Sequence, residues 1–268
     1  MNGSALELVG GPLRAVRRAV IWWSMALAAL VALTAAFWPI FKGSTGISDA
    51  LNHLPPGVLT AFGLQDFGSP TGYLRANLYE IFIPILLVAA AVTFVGGQTA
   101  SEEAAGRLEI YIAQPVSRRA IYLGRAIAAL IGLAVVTSVV TVVQLVSDAV
   151  VDLPIDLGHL IATMVLSMFL AGLYGSFAFA IACVRPWPSI VNGAGIGLAL
   201  VSYLVVALFS FTTVLAPFSQ LSPWNWAFGG NPLEQATDPW RYIALVAPAI
   251  VLDLVGLRLI AARDIAAG

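Results

Sequence analysis

The sequence predicts an all-α, polytopic membrane protein with six transmembrane helices, on three observations. Of 268 residues, 60% are hydrophobic and only 10% are charged, where soluble domains carry about 25%, and the mean hydropathy is +0.92. Six segments stay apolar for the roughly 20 residues needed to cross a hydrocarbon core of about 30 Å. Arginines crowd alternate connecting loops and avoid the others. These features exclude a soluble or disordered chain. A net charge of −1 with no basic block excludes a nucleic-acid binder. A single cysteine, Cys183, leaves no disulfide framework, and two separated histidines, His53 and His159, leave no His-rich metal site.

The whole chain, 1–268, reads as one transmembrane domain. The expected spans are 18–41, 77–100, 120–147, 157–183, 189–215 and 240–261. Runs such as Ile127 to Val146 are apolar on every face, so helices are preferred over the alternating strands of a barrel. Ahead of the first span, residues 1–17 suit an interfacial helix with Leu6, Val9, Leu13 and Val16 on one side, interrupted at Gly10-Gly11-Pro12. Trp22 and Trp23 at one end of the first span and Trp38 at the other suit two interfacial aromatic belts. The loop from Lys42 to Gly72 carries an apolar patch, Val58 to Leu64. Pro84 and Pro248 are expected to bend spans two and six. Spans four and five contain Gly172 and Gly175, and the GxxxG pair Gly193 and Gly197 with Gly195 between, which suits close helix packing within or between subunits. Ala216 to Pro239, rich in Pro and Trp, reads as a re-entrant or interfacial hairpin before span six.

Ten arginines set the orientation: Arg14, Arg17, Arg18, Arg107, Arg118, Arg119, Arg125, Arg185, Arg258 and Arg263 fall on one side, with Lys42, Arg75 and Arg241 opposite. Both termini are therefore expected in the cytoplasm. Val20 to Phe41 is too long for the apolar core of a signal peptide. Twelve arginines against one lysine point to a GC-rich bacterium, and hence to a bacterial cytoplasmic membrane.

The segment between spans two and three is the most distinctive. Residues 101–119 read as a short amphipathic helix, a break and a new helix start. Glu103 and Arg107 stand at i,i+4, Pro115 stops the element, and Ser117 is placed to cap the third span. Leu108, Ile110, Tyr111 and Ile112 give an apolar surface rimmed by charge. By physics alone this is either a docking surface for a soluble partner or a loop lying on the membrane.

The pattern E-x-x-x-G-x-L-E-x-x-x-x-x-P-V-S-R falls on Glu102, Gly106, Leu108, Glu109, Pro115, Val116, Ser117 and Arg118. It resembles the membrane subunits of ABC-2-type ABC transporters, bacterial exporters among them, as does the layout of six spans with a leading surface helix. The resemblance implies that the loop after span two holds a coupling helix seated on a cytoplasmic ATPase. Its coupling residues here would be Glu102, Glu103, Gly106, Arg107, Leu108, Glu109, Pro115, Ser117 and Arg118. It further implies two ATPase subunits and a second permease copy or homologue. ATP and its magnesium would belong to the ATPase, because this chain has no G-x-x-x-x-G-K-[ST] phosphate loop and carries no cofactor or catalytic residue of its own.

Under that reading the substrate pathway lies at the dimer interface between spans two and five, lined by Thr93, Asn192, Ser202, Tyr203, Phe209 and Phe211. The lack of a long polar stripe favours a hydrophobic or amphiphilic substrate, a drug, antibiotic or lipid-like molecule. Asp253 and Glu80 are intramembrane carboxylates, serving either a contact within the fold or the substrate. Gln98 and Gln144 are similarly open. The alternative is an ion-gradient-driven secondary transporter, which should show paired intramembrane carboxylates. A membrane-embedded enzyme or a scaffold has still less support.

Overall fold

The computed structural model describes residues 3–42, 53, 67–106, 117–209, 212 and 214–262, with side chains from residue 9 onward. Ten α-helices are described, and there is no strand among the described residues: α1 (Gly3–Phe41), α2 (Pro70–Leu74), α3 (Phe82–Gln98), α4 (Ala100–Ala104), α5 (Arg118–Val151), α6 (Leu157–Val184), α7 (Pro188–Phe209), α8 (Ala216–Ser219), α9 (Pro223–Phe228) and α10 (Pro239–Ala262). Six stretches are long and apolar enough to cross a membrane, one each in α1, α2 through α4, α5, α6, α7 and α10.

Several boundaries depart from expectation. The helix α1 runs unbroken for 39 residues through Gly10, Gly11 and Pro12. At 1.5 Å per residue it is about 58 Å long, nearly twice a hydrocarbon core, so its arginine-bearing start projects beyond the membrane as a continuation of the span. Proline removes one backbone bond, and the rest of the ladder carries the helix through. The second span begins at Pro70, capped by Ser69, whose hydroxyl accepts from the Gly72 amide at 3.0 Å. A π-helical turn over Arg75–Tyr79 joins α2 towards α3. Pro84 is the third residue of α3, where its missing N–H has no intrahelical partner to lose. Span five ends at Phe209, six residues short of the expected end. Patch 58–64 lies outside the described residues.

The helices α3 and α6 form the centre. α3 packs on α1, α5, α6 and α7, and α6 packs on α3, α5, α7, α9 and α10. Of the most apolar stretch of the second span, 61% is buried inside the bundle, against 17% for α10 at the edge. Without a hydrophobic drive between helices in lipid, close approach at small residues holds such a bundle together. A Cβ added at Gly132 on α5 would lie 3.0 Å from Val20 of α1 and 3.4 Å from the Phe94 ring of α3; one at Gly175 on α6 would lie 3.3 Å from Ala91 of α3. The parallel pair α1 and α5 is also joined at its far end, where Lys42 Nζ meets Asp152 Oδ2 at 3.0 Å.

Trp38 is not part of an interfacial belt. It is 2% exposed and lies 5.3 Å from Tyr73, whose ring in turn meets Phe41 and Phe67. Trp22, 68% exposed, keeps the outward position expected of a belt residue. Residues 214–239 fold back on the bundle end opposite the termini. The indole of Trp224 is buried and donates to the Glu80 carbonyl at 3.2 Å, and Ser222 Oγ donates to the Ser202 carbonyl at 2.8 Å.

Candidate functional site

Two places bring functional groups together. The first is the joint between α3 and α4, at the bundle end that holds the termini. The α3 ladder ends at Gln98, Thr99 takes φ −110 and ψ −81, and α4 starts at Ala100. Thr99 Oγ1 returns its proton to the Val95 carbonyl at 2.6 Å. Arg125, 5% exposed on α5, donates from Nη1 to the Gln98 carbonyl that the joint leaves without a helical partner. One turn earlier on α5, Tyr122 Oη donates to Glu103 Oε2 of α4 at 2.9 Å. The short α4 is thus tied to the ends of both α3 and α5, and it also touches α7. Glu102 and Glu103 occupy its first turn, where negative charge suits the helix dipole.

After Ala105 the chain turns at Gly106, whose φ of +70 is a left-handed conformation open to glycine at little strain. Ser117 caps α5, its Oγ accepting from the Ala120 amide at 3.3 Å, with Arg118 in the first turn. Arg107, Leu108, Glu109 and Pro115 lie outside the described residues. Tyr122 and Arg125 belong to this joint, and sequence reasoning missed the first and used the second only for orientation. The available signal was an arginine inside an apolar span, which needs a partner there.

Within the single chain, the residues expected to line a pathway fall at several levels of the bundle. Thr93 Oγ1 is spent on the Ala89 and Ala90 carbonyls of its own helix. Asn192 on α7 lies against Gly96 of α3, and its Oδ1 is buried with no hydrogen-bond partner. Ser202 and Tyr203 sit farther along α7 and hold the folded-back segment: Ser202 through Ser222, and Tyr203 through the Trp224 ring at 5.3 Å. Phe209 is half-buried at the end of α7, and Phe211 lies outside the described residues. Of the two ambiguous glutamines, Gln144 is fully buried, accepting from Tyr79 Oη at 3.0 Å and donating to Asp148 at 2.6 Å. Neither polar atom of the Gln98 amide has a partner. Arg75 lies 4.0 Å from Glu234, so the neighbour it shares charge with is not Glu80 alone.

Asp253 sits elsewhere, at the second place. A cavity of about 260 Å³ opens between α3, α5, α6 and α10, with Leu130, Phe169, Gly172, Phe179 and Ile250 among its walls. Asp253 and Ser176 line it as a polar pair, Ser176 Oγ donating to Asp253 Oδ2 at 3.1 Å.

Among the described residues no group of three or more His, Cys, Asp or Glu side chains is arranged to hold a metal ion. No curated protein matches the chain. A family model does, over residues 9–259, and its description is "Multidrug efflux system permease Rv1217c, C-terminal domain". The match runs through all six apolar spans and both sites above, agrees with the ABC-2-type resemblance of residues 102–118, and places this multi-pass membrane chain in that permease family.

Proposed function

We propose that the chain is the membrane-spanning subunit of an ATP-driven exporter in the bacterial cytoplasmic membrane. It works with two cytoplasmic ATPase subunits and a second permease, a copy or a homologue, and both termini face the cytoplasm. Its substrate is hydrophobic or amphiphilic: the hydroxyls of Thr93, Thr137, Thr163 and Ser167 are taken up by carbonyls of their own helices, which leaves the spans no continuous polar track.

The observation that carries this reading is the α3–α4 joint. A soluble engine can act on a bundle only through an element that protrudes from it and is fastened to its spans. Here α4, with the coupling residues 102–118 at and beyond it, is fastened to α5 by Tyr122–Glu103 and lies against the Arg125–Gln98 bond. A push on α4 therefore reaches α3 and α5 together. Because α3 touches four other spans, displacing it repacks the bundle, which has discrete arrangements and not a continuum. ATP on the partner supplies the free energy; this chain supplies the route and the linkage.

The test is reconstitution with a cytoplasmic ATP-binding-cassette subunit, sought first among the genes neighbouring this one. Glu102→Lys should abolish copurification or lower permease-stimulated ATPase activity about tenfold, a loss of roughly 1.4 kcal/mol in coupling. Tyr122→Phe should leave the complex assembled yet lower export per ATP. If both variants stimulate and export like the parent, the joint is not the coupling element.

A further inference from the structure

We infer that the cavity between α3, α5, α6 and α10 is a binding site for a lipophilic cation, with Asp253 as its counter-charge. The inference rests on the exporter reading for its purpose, because it names the class of molecule that such a permease would take.

The cavity wall is apolar apart from Ser176 and Asp253. A carboxylate inside a spanning helix is costly in hydrocarbon and needs a partner. Asp253 receives one hydrogen bond, from Ser176, and no ion pair reaches it among the described residues. It stands inside α10, five residues before Arg258, about 8 Å along the helix axis from the nearest basic residue of its own helix. A fold with no use for this charge would be served as well by Asn or Ser. The missing partner is therefore a positive group that arrives on an apolar body.

The cavity suits such a body. Small-molecule pockets begin near about 300 Å³, and this one, at about 260 Å³, has a side mouth. Leu130 and Ile250, 54% and 52% exposed, form its rim between α5 and α10. Phe169 and Phe179 line the cavity, and aromatic rings attract a delocalised cation. Gly172 leaves the floor open, since a Cβ there would meet nothing within 4 Å. A compact polycyclic cation fits with its charge at Asp253 and its far edge in the mouth.

The experiment uses the purified chain in phosphatidylcholine nanodiscs, with ethidium as the cationic probe and Nile red as the neutral one, both read by fluorescence. Asp253→Asn keeps the shape of the side chain and an oxygen for the Ser176 proton. It should weaken ethidium binding about tenfold or more and leave Nile red unchanged. Gly172→Leu, whose Cβ meets nothing within 4 Å and whose further carbons enter the cavity that Gly172 lines, should weaken both dyes. Unchanged ethidium affinity in Asp253→Asn, an equal loss of both dyes in that variant, or unchanged binding in Gly172→Leu each overturns the inference. Circular dichroism and thermal unfolding confirm that each variant is folded. The binding measurement requires neither ATP nor an ATPase subunit. A failure here therefore strikes the site, whereas a failure of reconstituted export strikes the exporter reading.

Discussion

Replacing Gly195 by alanine should destabilise the bundle, while the same change at Gly193 or Gly197 should not. The three glycines share α7 and are spaced by two residues, yet their surroundings differ. A Cβ at Gly195 would lie 2.8 Å and 3.0 Å from the two methyl groups of Val92 on α3, and 3.3 Å from the Ala178 Cβ on α6. Carbon atoms rest at about 3.5–4.0 Å, so the overlap is roughly 1 Å at Val92. Valine in a helix has one favoured rotamer and cannot swing its methyls aside. Overpacking of this kind costs about 1–3 kcal/mol. At Gly193 and Gly197 an added Cβ meets nothing within 4 Å, and alanine there gains up to about 1 kcal/mol of helix propensity. Gly195 lies in the same helix interior and gains the same propensity, so the difference between the two kinds of variant is the overpacking alone, about 1–3 kcal/mol, or about 2–12 °C at 2–4 °C per kcal/mol. Thermal unfolding of the purified protein, followed by helical circular dichroism, measures it. If Gly195→Ala melts with or above the other two, α7 does not seat on α3 and α6 as described.

Ser222→Ala removes the cap of α9 and the bond to the Ser202 carbonyl at 2.8 Å. By the usual value of an N-cap it should cost about 1–2 kcal/mol, visible as a lower melting temperature, and an unchanged melting curve would show that the folded-back segment is not clamped there. Orientation is tested by single-cysteine labelling in a Cys183→Ser background, with membrane-impermeant maleimide. Ala105→Cys at the end of α4 should react only in inverted vesicles and Asp152→Cys only on intact cells. The reverse pattern would place the α3–α4 joint outside and end its assignment as a coupling element.

The number and order of the spans were legible in the sequence because partition between water and hydrocarbon depends on composition along one dimension. Arg118 to Val151 and Leu157 to Val184 announce themselves by apolar length alone, with Ser117 as a visible cap of the first; the Asp156 cap of the second came from the structure. The fragment Glu102 to Arg118 carried the family resemblance for a comparable reason: its residue types and spacing are local. What lay beyond local reading was direction. The GxxxG pair Gly193 and Gly197 drew attention by spacing, yet the close contact is made by Gly195, because the rotation of α7 about its axis is set by Val92 and Ala178 from two other helices. Trp38 looked interfacial from its position and is buried because Tyr73, 35 residues later, packs against it. Ser202 and Tyr203 looked available to a substrate and are engaged by Ser222 and Trp224.

Hydropathy thus determined that this chain enters the bilayer, where, and how often, since each residue contributes to that sum regardless of its neighbours in space. Only the tertiary structure decided which face of each span is protein and which is lipid, because in a uniformly apolar helix nothing in the sequence distinguishes the sides. That is why Asp253 could be picked out as an intramembrane carboxylate from composition, while Ser176, the cavity walls and the open floor at Gly172 came into view only when four helices were brought together.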